Sequence, residues 1–213
     1  MPAVLSSSST KPVPSSSSAP ASMPGSVLIE VPFASQAPFG KWDEMHEETC
    51  EEAALLLGQA FAKGETSMSE TTMEQRLQAI VAWEEQNGYG IDVNVDEAAA
   101  IARDYLDLDV RVLKNVTEAD LVRELAAGNP IVAPFAGREL GNPYFSGEGP
   151  WYHMLIIIGY DSDSFITNDV GTKRGARYAY DRDVLMSALH DWTGVKEETN
   201  TGAKNVLVID ANR

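Results

Sequence analysis

The sequence predicts an α+β fold in which an N-terminal helical half packs on a C-terminal antiparallel β half. Two observations carry this. Between Cys50 and Tyr105 the apolar residues recur at helical spacing in successive segments, with candidate capping residues ahead of each. From Ile131 onward they come instead in short runs rich in β-branched and aromatic residues, separated by Gly, Pro, Asn and Asp. A third observation sets the boundary of the folded unit. Residues 1–26 are mostly Ser and Pro, hold Lys11 as their one charge and lack apolar periodicity. Such a segment cannot bury enough apolar surface to offset its ordering entropy, so it is expected to be a flexible linker ahead of a domain at 27–213.

Taken in order, residues 27–33 (VLIEVPF) read as a strand ended by proline, followed by a loop that contains Gln36. Thr49 is the expected N-cap of a helix that begins at Cys50, with Glu51 and Glu52 in its positive first turn. Ala53, Ala54, Leu55, Leu56, Leu57, Ala60 and Phe61 supply its buried face. A second helix is expected over 69–86, with capping-box spacing at Thr71 and Glu74, and Met73, Leu77, Ile80, Val81 and Trp83 facing the core. Asn94 and Glu97 form the capping box of a third helix through Tyr105; Trp83 and Tyr105 are expected in the core by their phase. A strand at 110–113 and a helix from Thr117 through Leu125 precede the turn Gly128-Asn129-Pro130. The chain then turns to β: strands at 131–135 and 151–160, a hairpin return at 165–167, a strand at 177–180 and a last strand at 206–209. A helix capped by Asp181 and running to Trp192 is expected between the last two. The Gly/Pro/Asn-rich loop at 137–149 is long enough to suggest a role beyond connection.

The formal net charge of −16 comes from a chain whose acids all lie at or beyond Glu30. Nucleic acid and anionic lipid are therefore excluded as partners, and the acidity is read as a solubility device. No apolar run is long enough to span a bilayer, so the chain as given is not expected to insert into a membrane, and its N-terminus lacks a signal-peptide layout. One cysteine precludes an internal disulfide. The Ser/Pro stretch resembles the spacer that follows an anchor or signal in exported bacterial proteins, which leads to the expectation of an extracellular or cell-surface location.

Cys50 is the candidate nucleophile, because unpaired N–H groups and the dipole at a helix N-terminus favour an anion. A thiol titrating near 8.5 still needs a partner imidazole to become a nucleophile at neutral pH. The opposing reading is an inert core cysteine, and Asp43, Glu44, Glu47, Glu48, Glu51 and Glu52 crowd the same turn. A thiolate at Cys50 requires those carboxylates to face solvent. His153, at the start of a strand that follows the long loop, is the candidate base, with a structural histidine as the alternative. Asp169, after the hairpin return, is placed to orient the imidazole, or merely to form an Asx turn. The amide of Gln36 can donate to a developing oxyanion or be only solvated. A rival constellation is His46 with Cys50, four residues apart, as part of a metal site, although two ligands do not complete one. His190 is expected to be a surface or capping group. No cofactor is called for.

The combination of Gln36, Cys50 heading a helix, His153 after Gly149-Pro150-Trp151-Tyr152, and Asn168-Asp169 in the next turn resembles papain-like cysteine peptidases. More narrowly it resembles the bacteriocin-leader-processing family and its stand-alone relatives. The likeness runs from about Val31 to Trp192 and includes Gly128-Asn129-Pro130-Ile131-Val132 and the strand from His153 to Tyr160. It implies a papain-like fold and hydrolysis of peptide substrates, with Cys50 as nucleophile, His153 as general base and acid, Asp169 as orienter and Gln36 as oxyanion donor. That family usually opens its helix with Cys-Gly-Pro, whereas Glu51 and Glu52 follow Cys50 here, and Gln36 lies farther upstream than the family pattern places it. A non-catalytic peptide-binding module on the same fold is the alternative.

Overall fold

The computed structural model describes residues 23–211. Its elements in chain order are β1 (Val27–Leu28), α1 (Glu44–Glu47), α2 (Cys50–Ala62), α3 (Glu70–Asn87), α4 (Val95–Asp104), β2 (Val110–Leu113), α5 (Glu118–Ala126), β3 (Ile131–Ala136), β4 (Tyr152–Tyr160), β5 (Ser164–Asn168), β6 (Tyr178–Asp181), α6 (Arg182–Ala188) and β7 (Val206–Ile209). Short 3₁₀ turns lie at Gly137–Leu140 and Lys196–Thr201. The strands form one sheet in the order β2-β7-β3-β4-β5-β6, with β1 paired to the far end of β4. The pairings are antiparallel. This is the expected α+β arrangement, with the N-terminal helices laid on the sheet.

Strand β4 is the axis of the molecule, and all nine of its residues are buried. Side chains alternate across a strand, so an uninterrupted apolar run signals that both faces are covered. Tyr152, Met154, Ile156 and Ile158 join a core with α2, α3 and α4. Leu155 and Ile157 join a second core with Leu121 and Leu125 of α5 and Leu185 and Ala188 of α6. Helix α2 is buried over 11 of its 13 residues, including Leu55, Leu56 and Leu57, each of which contributes about 2 kcal/mol by leaving water. Gly58 permits the close fit, since a Cβ there would lie 2.0 Å from Ile209 Cδ1. Trp83 packs against the first core, its ring centroid 5.2 Å from that of Tyr105, as their phase predicts.

Four local expectations change. Strand β1 is only Val27–Leu28: Ile29 N–H still donates to Ile158 O at 2.7 Å, but beyond it the chain leaves β4, and Asn168 Nδ2 donates to the carbonyls of Val31 and Pro32. Ser69, not Thr71, caps α3, its hydroxyl accepting from Thr72 N–H at 3.0 Å. Thr49 occupies the N-cap of α2 with no side-chain capping bond. Helix α6 stops at Ala188, not Trp192: Leu189 turns extended, bridges Phe135, and His190 N–H donates to Pro134 O. The predicted linker lies outside the described residues up to residue 22. At its end, Pro24 O accepts the Tyr160 hydroxyl at 2.8 Å. Among the described residues, no helix is long and apolar enough to cross a membrane.

Candidate active site

A cleft of about 580 Å³ opens where the N-terminus of α2 meets the start of β4, and Cys50, His153 and Gln36 all line it. The loop at 137–149 contributes Tyr144, Phe145, Ser146 and Gly149, and the turn after β5 contributes residues 171–174. Trp42, Tyr144 and Trp151 are large, exposed aromatic side chains on its walls. The long loop thus builds one side of the cleft.

The β wall holds His153. Its Nε2 donates to Asp169 Oδ1 at 2.8 Å, which leaves Nδ1 as the nitrogen free to exchange a proton. Asp169 is fully buried and accepts at both oxygens. Oδ1 also takes Gly171 N–H at 3.0 Å, and Oδ2 takes Asn142 Nδ2 at 2.9 Å and the Tyr180 hydroxyl at 2.5 Å. The predicted Asx turn and the predicted orienting contact are therefore both made, by the same oxygen. Burial pushes the Asp169 carboxyl up, but the facing His153 charge and the hydrogen bonds from His153, Tyr180 and Gly171 outweigh it and hold the group below the usual range. Tyr180 moves the other way, burial first and then the Asp169 charge raising its hydroxyl far above the ordinary value, so it stays a donor. Phe145 meets the imidazole edge-on at 5.2 Å between centroids. Gly171 leaves the ring its space, as a Cβ there would lie 2.8 Å from His153 Cε1.

The helix wall is different in kind. Cys50 is buried, 6% exposed; its Sγ lies 2.9 Å from Glu51 Oε2 and accepts Met154 N–H at 3.3 Å. The requirement that the neighbouring carboxylates face solvent fails at two positions, since Glu51 and Glu52 are 1% and 3% exposed. Helix α2 is covered around its first turn as well as along its apolar face. Glu51 Oε1 accepts Val93 N–H at 3.3 Å, and Glu52 is bonded to Glu84 of α3. Burial raises all three carboxyls above the usual range; neighbouring acids add to the rise at Glu51 and Glu52, while at Glu84 the hydrogen bond with Glu52 acts in the opposite sense. Burial thus disfavours the ionised form of each of these acids. Burial first, and then a charged Glu51, push the Cys50 thiol up, with Met154 N–H acting in the opposite sense. The Glu51 contribution vanishes when that carboxyl is protonated.

Gln36 is buried beside this wall, tied by its backbone N–H to Val170 O at 3.0 Å. One side-chain N–H goes to His46 O at 2.9 Å, and the other has only a 3.5 Å contact with Glu47 O, at the limit of hydrogen bonding. His46 is not placed beside Cys50. It sits in the separate helix α1 with Nδ1 on Asp43 at 2.6 Å and Nε2 on Glu74 at 2.9 Å, so both nitrogens are occupied and the His46–Cys50 metal pair is not formed. Among the described residues, no group of three or more His, Cys, Asp or Glu is arranged to hold a metal ion. His190 follows the late helix and bonds Gly202 O through Nδ1 at 2.7 Å.

Three contributors escape the sequence reading. Asn142 lies in the long loop singled out for its length, Tyr180 in a predicted strand, and Glu51 beside the candidate nucleophile. Their residue types and neighbourhoods are legible, but their contacts to Asp169 and Cys50 span separations set by the fold, apart from Glu51, whose inward direction depends on α3 and Val93.

The sequence matches the Peptidase_C39 like family over residues 28–199. Among solved structures, the chain resembles one described as a C39-like peptidase from Bacillus anthracis, with a TM-score of 0.58 and 16% identity over 88% of this chain and 99% of that one. A cysteine protease of Carica candamarcensis is matched at a TM-score of 0.40 and 16% identity, over 89% of this chain and 100% of that one. No curated protein matches in sequence.

Proposed function

From the premise that the chain belongs to the Peptidase_C39 like family and is a cysteine peptidase of papain-like fold, we propose that it hydrolyses peptide bonds through Cys50, His153 and Asp169. The observation that carries this reading is the buried His153 Nε2–Asp169 pair at 2.8 Å, facing the same cleft as Cys50. Asp169 fixes the tautomer and ring direction, so Nδ1 receives the Cys50 proton. The thiolate attacks the substrate carbonyl carbon, and the oxyanion is held by the Cys50 N–H at the helix terminus and the second N–H of Gln36. The imidazolium then protonates the departing amine, leaving an acyl-enzyme. Water, deprotonated by the same imidazole, attacks the thioester and regenerates the thiol. The aromatic walls suit an extended peptide with apolar side chains.

A second reading, a peptide-binding cleft without turnover, draws on the burial that raises the Cys50 thiol. One experiment separates them: iodoacetamide alkylation of Cys50 against pH, in wild type and His153→Ala, beside a peptide-hydrolysis screen. Labelling already rapid at about pH 6 that slows in the variant supports a thiolate–imidazolium pair. Labelling confined to above about pH 8 in both supports the binding module. Cys50→Ala and His153→Ala are expected to fold and to lose about 10³-fold or more in kcat/KM. Full hydrolysis by Cys50→Ala would sink the mechanism.

A further inference from the structure

Glu51 takes no part in the steps above, yet it touches the nucleophile. It is 1% exposed, with Oε2 2.9 Å from Cys50 Sγ and Oε1 accepting Val93 N–H at 3.3 Å. Neither contact is a cation. The elements packed around it present further acids and a phenol: Glu52 from the same helix, Glu84 from α3, Asp92 from the segment before α4, and Tyr152 from β4. Tyr152 donates its hydroxyl to Val93 O at 2.8 Å, so its proton is already spent. His153 and Lys196 line the same cleft. A carboxylate in this place would be a buried anion held by the Val93 N–H, its own backbone N–H and one weak S–H donor, with no cation in contact. A neutral carboxyl instead has an O–H to give, and the sulfur is within reach as its acceptor.

Resting on the Cys50–His153 reading above, we propose that Glu51 is a positioning residue that works as the neutral acid, its O–H donating to the Cys50 thiolate while Val93 N–H holds its other oxygen, and that ionisation of this carboxyl turns the nucleophile off. One proton moves in the active form, from Sγ to His153 Nδ1. Glu51 keeps its own, and an O–H···S⁻ bond replaces S–H···O. When Glu51 ionises, the sulfur must stay protonated to avoid two adjacent anions in a site with low dielectric, and no nucleophile remains. Burial, followed by the Glu52 charge, raises the Glu51 carboxyl well above the usual range, in the same sense as the geometry.

The test is the pH profile of Cys50 alkylation and of kcat/KM in wild type and Glu51→Gln. The glutamine amide of that variant keeps an N–H for the sulfur at every pH and an oxygen for Val93. Wild type is expected to label more slowly as pH rises past the Glu51 ionisation, the reverse of an ordinary thiol. Glu51→Gln is expected to lose that fall and to label about tenfold faster on the alkaline side, the equivalent of a one-unit shift. Superposed profiles would overturn the role of Glu51, as would loss of labelling at all pH values in a folded variant. Should Glu51→Gln not fold, carboxyl NMR of isotope-labelled wild type decides: a signal that titrates above the ordinary glutamate range supports the proposal, and one ionised throughout it overturns it. Hydrolysis retained by Cys50→Ala would sink the peptidase mechanism itself, whereas superposed profiles beside an inactive Cys50→Ala remove only Glu51.

Discussion

The two walls of the cleft solve the problem of buried charge in opposite ways. On the β wall, each oxygen of Asp169 accepts two hydrogen bonds, and the carboxylate faces an imidazole. On the helix wall, the buried Gln36 Oε1 and Thr49 Oγ1 have no hydrogen-bond partner, and the buried acids Glu52 and Glu84 are paired with each other rather than with a cation. The first arrangement stabilises an anion through fixed donors. The second makes ionisation of its buried acids costly. His153 is thus held by fixed partners, while the surroundings of Cys50 respond to protons that solution pH can remove.

This contrast is sharpest at Asp169. Asp169→Ala strips partners from His153, Tyr180 and Asn142 at once, and is expected to lower kcat by about 10²- to 10⁴-fold. It should also cost about 3 kcal/mol of stability, measured by denaturant unfolding, because buried donors are left unpaired. Tyr180→Phe, which leaves the imidazole contact in place, should cost about 1 kcal/mol and leave kcat nearly unchanged. An equal loss of kcat in both variants would mean that the network, rather than the carboxylate itself, sets the base.

The walls should also respond oppositely to pH. Asp169 titrates below its ordinary 3.8 in the folded state, so its contribution is complete above that value and lost as pH falls through the folded one. Glu84, raised above its ordinary 4.5, behaves in reverse: the folded protein holds a proton that the unfolded chain releases, so stability falls as pH rises above 4.5. Glu84→Gln is expected to flatten that fall, leaving the protein about 1–3 kcal/mol more stable than wild type at about pH 8 and little changed at about pH 5. Thermal unfolding across this range measures it, and an unchanged slope would break the claim that ionisation of the helix-wall acids is costly.

The smallest effect belongs to His46, which anchors α1 to α3 and whose carbonyl holds Gln36. Burial pushes its pKa down, but the hydrogen bonds and charges of Asp43 and Glu74 outweigh this and raise it above 6.5. Its contribution is then complete below 6.5 and lost as pH rises through the folded value. His46→Gln should lose about 1–2 kcal/mol at about pH 6 and less at about pH 9, as read from thermal unfolding at the two values.

Much of this architecture is local and therefore legible in the amino-acid order. The α2 apolar face, the Asn94–Glu97 capping box and the β4 apolar run declare themselves within a few turns or a single strand, because periodicity and capping act over short separations. The positions of Cys50, His153 and Asp169 at element boundaries are visible for the same reason. What tertiary structure alone decided is the direction and partner of each polar side chain. Glu51 and Glu52 look like solvated first-turn acids until α3 and the segment before α4 cover them; His46 looks like a partner of Cys50 until a break between α1 and α2 turns it toward Glu74. Tyr180 and Asn142 meet Asp169 across 11 and 27 residues of chain. Such contacts, and the burial that sets each proton affinity, come from packing distant segments together, which no local pattern encodes.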